Sequence, residues 1–254
     1  FPFAFLFPIL VMAQGEVLTE LNANPILIKE YQKPRLKSTP ANDTLQLPFI
    51  DDFSELSSPY PDQSLWVDSF AFVNGNYPIL PVTVGVATLD GIDETGMPYE
   101  FEINLPYGEA DFLTSKNIDL SSYAAFDSLY LSFYYQPQGM GNAPEEEDSL
   151  IVQFKFPTDT TPVWKSVWNV AGREIDSAAS FPQVFIPITD SALFNEGFQF
   201  RFKNFATRSG NVDHWHIDYV WLDALRSEND TIFEDVAFVR PYTSVLSRYQ
   251  AMPW

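Results

Sequence analysis

The chain has 254 residues, of which 14 are Lys or Arg and 34 are Asp or Glu, for a net charge of −20 at pH 7. That balance excludes a nucleic-acid partner, because a phosphate backbone is bound by basic side chains that displace its counterions, and it disfavours an anionic membrane surface for the same reason. A hydrophobic fraction of 46% with 16% aromatics rules out a disordered acidic tail, and the complete lack of cysteine excludes disulfides, thiolate catalysis, Cys-bound zinc and a lipoprotein anchor.

Residues 1–13, FPFAFLFPILVMA, form an uncharged apolar run of the length of a secretory signal core, too short to span a bilayer. Val11 and Ala13 are small enough for the −3 and −1 positions of a cleavage site, which makes Gln14 the expected mature N-terminus, with no membrane insertion after cleavage. Without an initiator Met or a basic start, the chain is expected to begin inside its signal peptide. Residues 14–47 carry Pro25, Pro34, Pro40 and a basic cluster, with no apolar periodicity, and read as an extended leader. The span 224–254 ends in RYQAMPW and reads as a linker into a truncated following domain, so downstream domains of the same chain are expected partners.

Between these, over 48–223, the apolar period is two. Phe198, Phe200 and Phe202 alternate with Gln199, Arg201 and Lys203; Leu150, Val152, Phe154 and Phe156 alternate with Gln153 and Lys155; Leu129, Leu131, Phe133 and Tyr135 alternate with Tyr130, Ser132 and Tyr134. Each pattern predicts an antiparallel strand with one face buried. The runs VTVGVATL, PVWKSVW, FPQVFIPI and HWHIDYVWL add further strands bounded by turn residues. With long acidic loops and nothing helical beyond a turn or two, the expected fold is all-β, a jelly-roll sandwich of two antiparallel sheets.

Chemistry is sparse. His214, His216 and Asp218 share one face of a strand, but about four rises of ~3.3 Å separate the first from the last, too far to hold one ion without a bulge. There is no nucleophile elbow and no run of three alternating acids of the kind that sandwich glycosidases carry; Glu100 and Glu102 read as a solvated edge. The acidic loop 145–148 reads as an exposed turn, of a type that can also collect Ca²⁺ outside the cell. Tyr130 and Tyr134 share the more polar face of their strand, and Trp215, Tyr219 and Trp221 share a face of the last. Most such rings fill a sandwich core, while Tyr130, Tyr134, Trp215 and Trp221 are the candidates for stacking on a sugar ring.

The segments LPFIDDFS, LYLSFYYQPQGMGNAPEEEDSLIVQFK and GFQFRFKNFATRSGNVDHWHIDYVWL, with the stretch from Leu65 to Tyr99, resemble as a set an N-terminal module of large Bacteroidetes surface proteins exported by the type IX secretion system, some of them gliding-motility-associated. That resemblance implies a secreted or cell-surface protein. The order ADFLTSKNIDLS, LYLSFYY, WHIDYVWL is similar to laminin-G, MAM and cleaved-adhesin jelly rolls, which implies adhesion or ligand binding. Six Asp-Ser/Thr-aliphatic triplets resemble O-glycosylation sites of exported Bacteroidetes proteins and are equally ordinary turn dipeptides.

The expected function is a non-catalytic extracellular module mediating adhesion, assembly or ligand binding, with a glycan or a cell-surface protein as partner and a carbohydrate-binding module as the alternative. The jelly-roll resemblance also implies that Asp51 and Asp52 lie beside Asp218. There the buried carboxylate needs turn amides, a cation such as Arg201, or a structural Ca²⁺ held by Asp51, Asp52 and Asp218.

Overall fold

The computed structural model describes residues 22–34, 44–100, 107–157, 161–172 and 181–231. The expected signal segment and most of the expected linker after 224 lie outside these residues. Among the described residues the chain is a sandwich of two antiparallel sheets with one short helix.

The strands are β1 (Phe49–Asp51), β2 (Phe72–Asn74), β3 (Val86–Leu89), β4 (Tyr107–Thr114), β5 (Leu129–Pro137), β6 (Ser149–Phe156), β7 (Val163–Ala171), β8 (Gln183–Ile188), β9 (Phe200–Thr207) and β10 (Trp215–Asp223). One sheet runs β2-β3-β10-β5-β8 with β1 added beside β10; the other runs β4-β9-β6-β7. Consecutive strands from β4 to β10 mostly change sheet, yet β5 pairs β10 while β6 pairs β9. The chain therefore wraps as one long hairpin folded over itself, which is jelly-roll wrapping.

The alternation read from sequence sets the faces. Phe198, Phe200 and Phe202, Leu150, Val152 and Phe154, and Leu129, Leu131 and Phe133 are all buried between the sheets. Phe202 meets Phe133 edge to face at 4.8 Å, and Trp66, from the loop after β1, packs edge-on against Phe49 at 5.1 Å and Phe200 at 5.7 Å. On the outer face of the four-stranded sheet, Arg201 lies over Trp164 at 4.3 Å and Phe112 at 4.8 Å, so its stem is covered while its charge stays at the surface.

The segment expected to be extended over 14–47 contains a helix, α1 (Pro25–Tyr31). Asn24 caps it through bonds from the Ile26 and Leu27 amides, and Pro25 stands in the first turn, where no donor is needed. Leu27 docks it on a small cluster with Phe72 and Ile92. Two turns are too short to display an apolar periodicity, which is why the helix escaped the sequence reading.

The edge-to-face layer makes a stability prediction. Phe202→Ala should cost about 3–5 kcal/mol in denaturant unfolding. Phe126→Ala, at a ring 84% exposed, should stay within about 0.5 kcal/mol.

Candidate functional site

The outer face of the six-stranded sheet carries most of the residues singled out from sequence. Pairing aligns Asp218 with Tyr134, Trp221 with Ser132 and Asp223 with Tyr130. One row crosses four strands as Ile50, Trp221, Ser132 and Phe185. Tyr130, Tyr134, Phe185, Tyr219 and Trp221 are half-buried there. The Arg226 guanidinium lies 3.8 Å over the Trp221 ring and donates to the carbonyls of Trp221 at 2.8 Å and Tyr130 at 3.4 Å, which fixes the indole against the sheet.

Trp215 does not belong to this face. Its side chain is buried in the core with Ile217, and the strand then bulges between Asp218 and Trp221, where Tyr219 has φ 48°. The extra residue resets the alternation, so Val220 and Leu222 point inward and Trp221 outward. The expectation that Trp215 and Trp221 share a face is thereby corrected.

The bulge is also where β10 changes neighbour. Its first half pairs with β3 and its second half with β1, so Asp51 stands opposite Val220. The two acidic segments do meet as expected, and each carboxylate is hydrogen-bonded separately. Asp51 accepts from Trp66 Nε1 at 2.6 Å and the Phe53 amide at 2.9 Å; Asp52 accepts from the Ser54 amide. Asp218 accepts from the Val82 and Thr83 amides at 2.9 and 3.0 Å and the Thr83 hydroxyl at 2.7 Å. Burial pushes Asp218 up to about 7 against the pull of these donors. Turn amides, one of the partners considered for Asp218, are thus in place around it. The Thr83 hydroxyl also lies 2.7 Å from the Asp52 carbonyl, so this loop stitches the seam between β1 and β3.

The histidines are neutral structural groups. His216 Nε2 faces the Gln138 carbonyl at 3.2 Å, which can only accept, so this nitrogen carries the proton and Nδ1 accepts from the Thr88 hydroxyl at 2.9 Å. Thr88 in turn accepts from Asn74 at 2.7 Å. Burial holds His214 down to about 4 and His216 to about 3.

Two features go beyond what was read from the sequence, the second only in bringing Asp213 to the acidic loop 145–148. A cavity of about 430 Å³ opens beside this face, lined by Asn76, Tyr77, Met140, Asn142, Asn211 and His214. His214 Nε2 is 2.9 Å from Asn211 Oδ1, and Asn211 Nδ2 donates to the Tyr77 hydroxyl at 3.3 Å, so the polar groups of its wall are held in register. Three Asn residues from three loops give no local motif, which is why sequence reading passed over them. The second feature is acidic: Glu145, Asp148 and Asp213 are, among the described residues, the one group of three whose ligand atoms all lie within 4.8 Å of one another.

No family model matches this chain, and no curated protein matches it. Among solved structures it is similar to the K1 cleaved adhesin domain of Lys-gingipain from Porphyromonas gingivalis W83, at 10% identity over 70% of this chain and 98% of that one, with a TM-score of 0.38. A xylan-binding domain from CBM 22 aligns at 7% identity over 69% and 93%, TM-score 0.39. CBM27-1 of Caldicellulosiruptor saccharolyticus, solved with mannohexaose, aligns at 13% over 68% and 95%, TM-score 0.37. What this chain binds has to be read from its own residues.

The polar chain ending at Gln138 predicts a titration. By NMR, the His216 ring should remain neutral, with the proton on Nε2, down to about pH 4. Because its folded value of about 3 lies below the ordinary 6.5, its stabilisation is complete above that ordinary value and is lost as pH falls through the folded one. His216→Gln should therefore lose less stability than the parent on acidification from 6.5.

Proposed function

We propose that this chain is a non-catalytic binding module of a larger exported protein, acting in adhesion or assembly by holding a neutral carbohydrate. The observation that carries the reading is the cavity of about 430 Å³ walled by Asn76, Asn142, Asn211, His214 and Tyr77. Amides offer a donor and an acceptor side by side, as vicinal sugar hydroxyls require, and a tyrosine ring gives a flat apolar wall. No carboxylate lines this cavity although the chain carries a net charge of −20. A neutral ligand enters such a pocket without displacing a counterion, whereas an anionic one meets the repulsion of the whole molecule.

The half-buried Tyr130, Tyr134 and Trp221 favour a second contact on the outer face of the six-stranded sheet. The setting at the cell surface or in the secreted fraction is supported by the apolar 1–13 segment, by the lack of cysteine, and by the likeness of the strand segments to modules of type IX-exported surface proteins. Among the described residues no helix is long and apolar enough to cross a membrane.

Affinity electrophoresis against neutral polysaccharides, followed by calorimetry, tests this. Retention by at least one polysaccharide is expected without release of reducing sugar. Asn76→Ala, at an exposed pocket wall, should weaken binding by about tenfold with an unchanged melting midpoint, and Trp221→Ala should weaken only longer oligosaccharides. Retention by none of them, or turnover of any, overturns the reading.

A further inference from the structure

The charge of this chain is unevenly spread. Strands β6, β7 and β9 carry Lys155, Lys165, Arg201 and Lys203 and no acid, in a chain where acids outnumber bases 34 to 14. These strands are neighbours in the four-stranded sheet, in the order β9-β6-β7. Lys155, Arg201 and Lys203 stand on its outer face, because the positions that alternate with them, Phe154, Phe200 and Phe202, are buried in the core. Lys165 reaches over the Phe156 ring at 4.0 Å.

Two of these cations are held around one indole. Trp164 on β7 stands opposite Lys155 on β6, and the Arg201 guanidinium lies over the same indole at 4.3 Å, with the Phe112 ring of β4 at 4.8 Å. Arg201 Nε donates to Gln153 Oε1 at 2.8 Å, and Lys155 Nζ donates to Gln199 Oε1 at 2.6 Å. Gln153 and Gln199 are buried, and their own amide nitrogens are engaged with the Ser166 hydroxyl and the Ser115 carbonyl, so each cation is anchored from beneath by a fixed neutral group. Neither gives up its charge to a carboxylate. Of the nearby acids, Glu109 pairs with Lys203, while Asp68, within electrostatic reach of Arg201, hydrogen-bonds Thr114. The ion pairs among the described residues include neither Lys155 nor Arg201. Lysine has three donors and arginine five, so most of the N–H groups of these two half-buried side chains are open to a ligand.

We propose that the outer face of the four-stranded sheet binds an anionic polysaccharide, with its carboxylate or sulfate groups received by Lys155 and Arg201 and a sugar ring laid against Trp164. A guanidinium and an ammonium with open donors match acid oxygens, and the indole supplies the apolar contact. An acidic peptide fits this face less well. Its main-chain N–H groups need acceptors, and the two amide oxygens here are already taken by the cations. Sugar hydroxyls accept as well as donate, so a glycan leaves no donor facing a donor. The net charge of −20 does not forbid such a ligand. At physiological salt the screening length is about 8 Å, and an acid group docked here meets the two cations at contact distance.

The test is affinity electrophoresis of the full chain, followed by calorimetry, against polygalacturonate, dextran sulfate and poly-L-glutamate. Expected is binding to polygalacturonate, which assigns a carboxylate, or to dextran sulfate, which assigns a sulfate. Binding should weaken by about tenfold or more between about 0.05 M and about 0.5 M NaCl, as the release of two counterions requires. Arg201→Gln and Lys155→Gln should each weaken it by about tenfold, with Lys155→Gln the deciding variant if Arg201→Gln lowers the melting midpoint. The patch shares no residue with the cavity walled by Asn76, Asn142 and Asn211, so any neutral polysaccharide held there should bind Arg201→Gln as it binds the parent. Failure of one reading therefore leaves the other standing. Five outcomes overturn the proposal: retention by neither polysaccharide; equal or tighter binding of poly-L-glutamate, which would make the partner a protein; affinity that ignores salt; unchanged affinity in Lys155→Gln and in a stably folded Arg201→Gln; or loss of neutral-sugar binding in Arg201→Gln.

Discussion

Phe202 on β9 and Phe133 on β5 touch edge to face across the gap between the sheets, and most of what surrounds them follows from keeping that gap one ring wide. Rings at alternate positions on β9 need partners across the gap, which Phe49 and Phe133 supply from the facing sheet and Trp66 from the loop after β1. Such spacing cannot be relaxed at the strand ends, where the rings run out. Near those ends Asp90, Asp111, Asn204 and Asp213 are all nearly inaccessible to water. Asn204 alone donates to the Asp90 carbonyl and accepts from the Asp111 amide, so a single side chain closes the main chain of two strands. The polar chemistry of this protein sits at the rim because the middle is committed to aromatics.

The middle was legible in the sequence for the same reason. On β5, β6 and β9 one face is apolar and the other polar, and a period of two admits only one assignment of faces. β10 also alternates cleanly on paper, yet it bulges at Tyr219, a bulky residue at positive φ where the chain shows no glycine to announce it. The bulge coincides with the point at which β10 leaves β3 and takes up β1. Pairing partners of this kind are a property of the whole fold, so a single strand could not reveal that Trp215 faces inward. By contrast, the meeting of the Asp51 and Asp218 segments followed from the jelly-roll likeness, because that likeness concerns strand order.

The candidate sites were legible only in part. Asp148 and Glu145 stand out as an acidic loop, but Asp213 lies 65 residues beyond Asp148 in a turn of ordinary composition. The Asn residues of the cavity come from loops after β2, after β5 and after β9. Side chains that converge from separate crossovers leave no spacing to recognise, however well the strands are read.

The cavity and the acidic group share their walls. The Asn142 carbonyl accepts from the His214 amide at 3.2 Å, and the Asn142 side chain accepts from the Asp213 amide at 3.1 Å. One residue of the β5–β6 loop therefore anchors to the amides of both Asp213 and His214, while Glu145 and Asp148 approach that turn three and six positions later. Burial and the charge of Asp213 push Asp148 up to about 8, and burial together with Glu145 pushes Asp213 up to about 7. Asn142 thus links the turn that carries Asp213 to the cavity wall formed with Asn211 and His214. The electrostatics of the rim and the shape of the neutral pocket are thus one problem with one solution in the fold.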